Sequence, residues 1–158
     1  AERVPVEINR DYGNELFTRE PEAFITRADP KPFFIYLNYT VPHAELRAPE
    51  DAMAPFKDRF LPETPFVNAA ADGRPAGAMP DGASLGYRSQ PTPRAAFAAM
   101  ITRMDRDIAR LTDLIGERKI DRNTLIMFVS DNGPHREGGA DPEFFRSAGG
   151  QRGIKRDL

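Results

Sequence analysis

Residues 124–135 read TLIMFVSDNGPH: an apolar run, Leu125 to Val129, empties without a break into Ser130-Asp131-Asn132-Gly133-Pro134-His135. A short continuous run of large apolar residues predicts a strand covered on both faces, as in a parallel sheet. In open α/β sheets ligands gather just beyond the carboxyl ends of the strands. Asp131 and Asn132 stand at that position.

Upstream, a similar run, Phe33-Phe34-Ile35-Tyr36-Leu37, follows Lys31-Pro32 and leads to Asn38-Tyr39-Thr40-Val41-Pro42-His43. It predicts a second buried strand. Between the two, Phe97, Ile101, Met104, Ile108, Leu111 and Ile115 recur in alternating steps of four and three, which draws an apolar stripe down a helix from Pro93 to Ile115. Asp105, Arg106, Asp107, Arg110 and Asp113 fall on the solvent side of that pattern, and Gly116 is placed to end the helix. A turn at Asp121-Arg122-Asn123 leads into the second strand. Strand, excursion, amphipathic helix, strand is the order of a right-handed crossover. The fold class expected is therefore α/β, with part of a mostly parallel sheet flanked by helices. A shorter helix is expected from an Asn14 cap through Ile25, with Pro21 near a start or kink.

The chain has 158 residues, the length of one domain, with 22 basic against 24 acidic side chains and a net charge of -2. No basic block points to nucleic acid. No run approaches the roughly 18 apolar residues of a membrane span. Ala1 to Glu7 has no signal-peptide pattern. The absence of cysteine excludes disulfides, thiolate metal ligands and a cysteine nucleophile in these residues. Of the 15 prolines and 12 glycines, nine prolines and four glycines fall between Pro42 and Pro93, with no sustained period, so residues 44–93 read as one long loop, which in a domain is usually functional. The reading is a single partial domain over residues 1–158, carrying that loop as a variable insertion.

Residue chemistry leaves several alternatives open. Asp131-Asn132-Gly133 is a turn sequence, and also a pair of hard oxygen donors of the kind Ca²⁺ or Mg²⁺ takes, two being too few to hold an ion alone. His43 reads as a loop histidine bonded to backbone or as a group aimed into the crevice with Asp131 and Asn132. His135 and Arg136 read as surface residues. Lys155, after Gly149-Gly150-Gln151-Arg152-Gly153-Ile154, is a solvated lysine or a point charge for an anion. Asn38-Tyr39-Thr40 fits a glycosylation sequon by chance.

In this order, KPFFIYLNYTVPHAELRAPED (31–51), AAFAAMITRMDRDIARLTDLI (95–115), DRNTLIMFVSDNGPHREGGADPEFF (121–145) and RGIKRDL (152–158) resemble the sulfatase family of the alkaline phosphatase superfamily. Ser-Asp-Asn-Gly-Pro-His followed by Glu-Gly-Gly is the most specific match, whereas residues 53–90 have no counterpart. The resemblance implies a sulfate-ester hydrolase with one divalent cation, usually Ca²⁺ with Mg²⁺ as the other candidate, and a formylglycine nucleophile. It implies Asp131 and Asn132 as metal ligands, and His43 and Lys155 as catalytic groups bound to the sulfate. It also suggests a periplasmic or secreted protein. His135 and Arg136 would contact an anionic substrate such as a sulfated sugar.

The departures are as informative. The family's Cys/Ser-x-Pro-x-Arg nucleophile motif and its paired aspartates are absent, Glu45 stands where relatives often carry proline, and Leu158 falls just before where Tyr-Glu-Gly-Gly would begin. The expectation is thus the middle of a larger enzyme, inactive alone and prone to self-association through unpaired strand edges. Two other functions stay open: a phosphomonoesterase or phosphonate hydrolase with the same fold, and a non-catalytic module that binds sulfated glycan.

Overall fold

The computed structural model describes residues 12–27, 31–73 and 86–157. Its elements are the helices α1 (Gly13–Arg27), α2 (Glu50–Met53), α3 (Ala69–Asp72) and α4 (Pro93–Glu117), joined by 3₁₀ turns and irregular chain. Among the described residues there is no strand and no sheet; one antiparallel bridge, Phe66 with Gln90, is closed by two N–H···O bonds of 2.9 Å. The expected α/β class, with part of a parallel sheet, is therefore corrected. Apolar composition favours a pleated chain but cannot supply the neighbour whose N–H and C=O groups make a strand, and that neighbour is non-local. Residues 33–40 do alternate half-buried (Phe33, Ile35, Leu37, Tyr39) with exposed (Phe34, Tyr36, Asn38, Thr40), so one face is covered rather than two. Leu125 to Val129 are exposed throughout, Leu125 at 85% and Ile126 at 54%. No helix among the described residues is long and apolar enough to cross a membrane.

The chain divides into two compact units, residues 1–41 with 102–126 and residues 42–101 with 127–158. In the first, α1 buries Asn14, Thr18, Pro21 and Ile25 at helical spacing. Pro21 lies inside this helix, not at its start. Asp107 of α4, expected on the solvent side, is fully buried. The reason lies in its partners. Its Oδ1 accepts from Arg106 Nη2 at 2.8 Å and Nε at 3.2 Å and lies 3.5 Å from Arg110 Nη1, and its Oδ2 faces the Thr18 hydroxyl at 3.5 Å. That hydroxyl spends its proton on the Asn14 carbonyl at 2.9 Å, so Tyr39 is the donor in their 2.8 Å contact. Glu15 receives Arg103 and Arg106, and Glu22 receives Arg110, which ties α1 to the second half of α4 by charge. A buried carboxylate is tolerated only when hydrogen-bonded and paired in this way.

In the second unit the first turn of α4 is capped from a distance. The Glu63 carboxylate accepts the N–H groups of Arg94 at 3.0 Å and Ala95 at 2.9 Å, two of the donors left unpaired at a helix start whose first residue, Pro93, has no N–H. Arg94 binds Asp141 through Nε and Nη2, at 3.1 and 2.8 Å, and its guanidinium lies 4.0 Å from the centre of the Phe144 ring. Phe60 and Phe97 meet the Phe145 ring at 5.4 and 5.3 Å. α4 continues through Gly116 and ends one residue later, at Glu117.

Candidate functional site

All the site residues expected from the sequence belong to the second unit. Three loops meet there: 42–46, 134–139 and 153–156. The 134–139 loop depends on its glycines. Gly138 and Gly139 have φ of +62° and +91°, where a side chain is strained. A Cβ at Gly138 would lie 2.9 Å from Ala44 Cβ, and one at Gly139 would lie 2.8 Å from Phe66 Cβ. The 134–139 loop therefore packs directly on the residue after His43. The Lys155 N–H donates to the Pro134 carbonyl at 2.8 Å, and Gly133 approaches the same backbone so closely that a Cβ there would be 3.4 Å from Lys155 N.

These backbone contacts bring His43 and Lys155, 112 residues apart in sequence, to 2.9 Å between Nε2 and Nζ. His43 Nδ1 faces the Ala44 carbonyl at 2.7 Å. A carbonyl only accepts, so the proton sits on Nδ1 and the Nε2 lone pair receives the Lys155 ammonium. The His43 side chain is 43% exposed and open to a ligand, whereas Lys155 is 23% exposed.

His135 lies elsewhere than its surface reading supposed. It is 8% exposed and stacks on His43 with ring centres 5.2 Å apart and planes 25° from parallel. Its Nε2 faces the Pro42 carbonyl at 3.1 Å, and its Nδ1 accepts the Glu137 N–H at 3.1 Å, which selects the Nε2–H tautomer and occupies both nitrogens. Arg136 is exposed and paired with Glu143.

Glu137, which sequence reasoning passed over, stands at the centre. Its Oε2 accepts the Tyr87 hydroxyl at 3.1 Å and lies 3.4 Å from both Lys155 Nζ and His43 Nε2; its Oε1 takes Arg156 Nη2 at 2.7 Å. Partial desolvation pushes its carboxyl up, but hydrogen bonds from Tyr87 and Lys155 and the charges of Lys155 and Arg156 outweigh this and hold it below the ordinary 4.5. Tyr87 is raised in turn, by desolvation and by its bond to that carboxylate. The available signal for Glu137 was the Gly-Gly that follows it. Tyr87 comes from the unpatterned loop and gave none.

Asp131 and Asn132 are exposed, and the Ser130 hydroxyl donates to the Asn132 carbonyl at 2.8 Å, closing a tight turn. Their oxygens suit a hard cation in kind, but among the described residues no group of three or more His, Cys, Asp or Glu side chains converges to hold one. The two offer part of a shell and no more. Lys155 beside His43 offers an anion what Asp131 and Asn132 cannot: a positive charge.

Comparison with known proteins bears on the family of the chain. The sulfatase family model matches residues 5–157. An arylsulfatase of Klebsiella aerogenes is 26% identical over 85% of this chain and 34% of its own length, and one of Clostridium perfringens is 30% identical over 70% of this chain and 24% of its own. A multifunctional alkaline phosphatase superfamily protein, PehA, of Trinickia caryophylli is 29% identical over 83% of this chain and 28% of its own length. The chain thus spans about a third or less of the length of these curated relatives. With the family model covering nearly every residue, this chain belongs to the sulfatase family.

Proposed function

We propose that this chain carries the sulfate-holding part of a sulfate-ester hydrolase, with His43 and Lys155 as the groups that contact the sulfate. The observation that supports this best is the 2.9 Å approach of Lys155 Nζ to His43 Nε2 at an open face of the second unit. Hydrolysis of a sulfate ester breaks an S–O bond and leaves negative charge on the departing oxygen. A fixed ammonium stabilises charge as it develops on the sulfate oxygens, and it needs no reorganisation to do so. His43, held by Ala44 through Nδ1, presents Nε2 to the same point; carrying a proton there, it protonates the departing alcohol.

Asp131 and Asn132 would supply two of the ligands of a divalent cation, Ca²⁺ or Mg²⁺; among the described residues no group of three or more His, Cys, Asp or Glu side chains completes the shell. Such a cation, when bound, supplies positive charge against the sulfate oxygens. The formylglycine nucleophile of the family has no counterpart in this sequence, which has no cysteine and no Cys/Ser-x-Pro-x-Arg motif. His135, with both nitrogens occupied, serves as the platform under His43 rather than as a substrate contact, and Arg136 reaches an anionic substrate only by leaving Glu143.

The test is hydrolysis of an aryl sulfate by the full polypeptide that bears these residues. Lys155→Ala is expected to lower kcat/KM by an amount equivalent to about 2–4 kcal/mol, as removal of a charge-stabilising donor does. Unchanged kcat/KM in Lys155→Ala overturns the assignment. A preference for aryl phosphate over aryl sulfate transfers the same site to a phosphatase of the superfamily.

A further inference from the structure

Given His43 and Lys155 as the sulfate contacts, we propose that Glu137 is the positioning residue of the site: its carboxylate, anchored by Tyr87 and Arg156, holds the Lys155 ammonium against His43 Nε2.

A lysine and a histidine do not stay in contact by themselves. While His43 is neutral its Nε2 accepts from the ammonium, but once the ring is protonated the two groups repel. Glu137 Oε2 lies 3.4 Å from each of them, so it accepts from Lys155 in the first state and from both in the second. The approach survives the protonation change that acid catalysis by His43 requires.

The carboxylate is itself fixed from several directions. Tyr87 donates to Oε2 and Arg156 to Oε1. The Glu137 main chain is held by its N–H on His135 Nδ1 and by the two positive-φ glycines that follow it, Gly138 pressed on Ala44 and Gly139 on Phe66 and Pro93. An anion at this point repels a sulfate and so does not bind it directly. Its effect passes through Lys155 and His43. Tyr87 is then a hydroxyl by which the 44–93 segment reaches the site.

The experiment compares Glu137→Gln, Tyr87→Phe and Lys155→Ala in the full polypeptide with two readouts. The first is the ¹⁵N shift of His43 Nε2, assigned by its loss in His43→Gln, which reports whether an ammonium is bonded there. Glu137→Gln is expected to move that signal toward its Lys155→Ala position and leave His135 unmoved, because the Glu137 N–H is retained. Tyr87→Phe should move it less. An unmoved His43 signal in Glu137→Gln overturns the proposal whatever the activity does. So does a His135 signal that moves with it, since that marks a general loosening of the loops. The second readout is aryl sulfate turnover. Glu137→Gln should lower kcat by roughly 10–100-fold with a smaller change in KM, the scale at which misplacing a catalytic group costs rate. If Lys155→Ala and His43→Ala leave turnover unchanged, the sulfate assignment fails, while the His43 signal still decides whether Glu137 holds the pair.

Discussion

The two units of this chain solve the same problem, fixing polar side chains in place, by opposite means. In the first, long side chains on two helices reach across to one another: Arg103 and Arg106 to Glu15, and Arg110 to Glu22, while Arg106 also binds the buried Asp107 of its own helix. In the second, the main chain does most of the placing. Gly138 and Gly139 turn where other residues cannot, Pro134 accepts from the Lys155 amide, and His135 accepts from the Glu137 amide. Charge networks between helices tolerate small shifts, because flexible side chains can follow. A site built on backbone contacts does not bend in that way, and it holds His43 and Lys155 at hydrogen-bonding distance without a helix beneath either one.

That contrast can be broken at three points. Gly139→Ala should do the most damage. It adds a Cβ 2.8 Å from Phe66 Cβ and 3.0 Å from Pro93 Cβ, in a backbone conformation of φ +91°. Backbone strain and overpacking together predict about 3 kcal/mol of lost stability in urea unfolding. A loss under about 0.5 kcal/mol would show that the loop rearranges freely and that the backbone does not fix the site.

Asp107→Ala comes next. It removes the acceptor shared by Arg106 and Arg110, at an expected cost of about 2 kcal/mol, less than for a fully buried pair because both arginines keep access to water. Amide hydrogen exchange should rise in α1 and in the second half of α4. Unchanged protection in α1 would mean that apolar packing at Ile25 and Pro21 suffices.

The smallest effect is with acid. Glu15 is held below its ordinary 4.5: desolvation pushes it up, but hydrogen bonds and charge from Arg106 and Arg103 prevail. Asp141 is held below 3.8 by the Phe144 N–H and by Arg94. A folded-state value below the unfolded one gives stability that is complete above the unfolded value and fades as pH falls through the folded one. Unfolding midpoints should therefore be flat near neutrality and decline below pH 4.5 and 3.8 respectively. Glu15→Gln should make that decline shallower, and an unaltered slope would discount the ion pairs of the first unit.

α4 was legible in the sequence because its apolar period is local, repeating every turn. Its buried face was less so. Asp107 reads as a surface charge until Thr18, 89 positions earlier, is brought beside it. The strand-like runs failed for a related reason: the residues of 33–37 and 124–129 state a conformational preference, whereas a sheet needs partners the runs themselves do not encode. At the site, His43 and Lys155 were drawn out by the resemblance of their segments to a family, not by spacing. Glu137 escaped because a glutamate before two glycines looks like loop, and only the three-dimensional meeting of His43, Tyr87 and Lys155 gives it a role.

Glu45 departs from the proline common in the family, yet it has a use here. Its carboxylate accepts the Arg88 N–H at 2.7 Å, and one residue on, the Leu46 carbonyl accepts the Gln90 side-chain amide at 2.6 Å. These two bonds fasten the chain leaving His43 to the chain returning at Tyr87, so everything between Arg47 and Tyr87 is a loop already closed at its neck. Lengthening a closed loop costs little, about 0.6 kcal/mol for each doubling. Within that closed stretch Phe60 on Phe145, Glu63 on the first turn of α4 and Phe66 on Gln90 are further anchors. A change of length is therefore tolerated best between these anchors, where it pulls neither on them nor on His43.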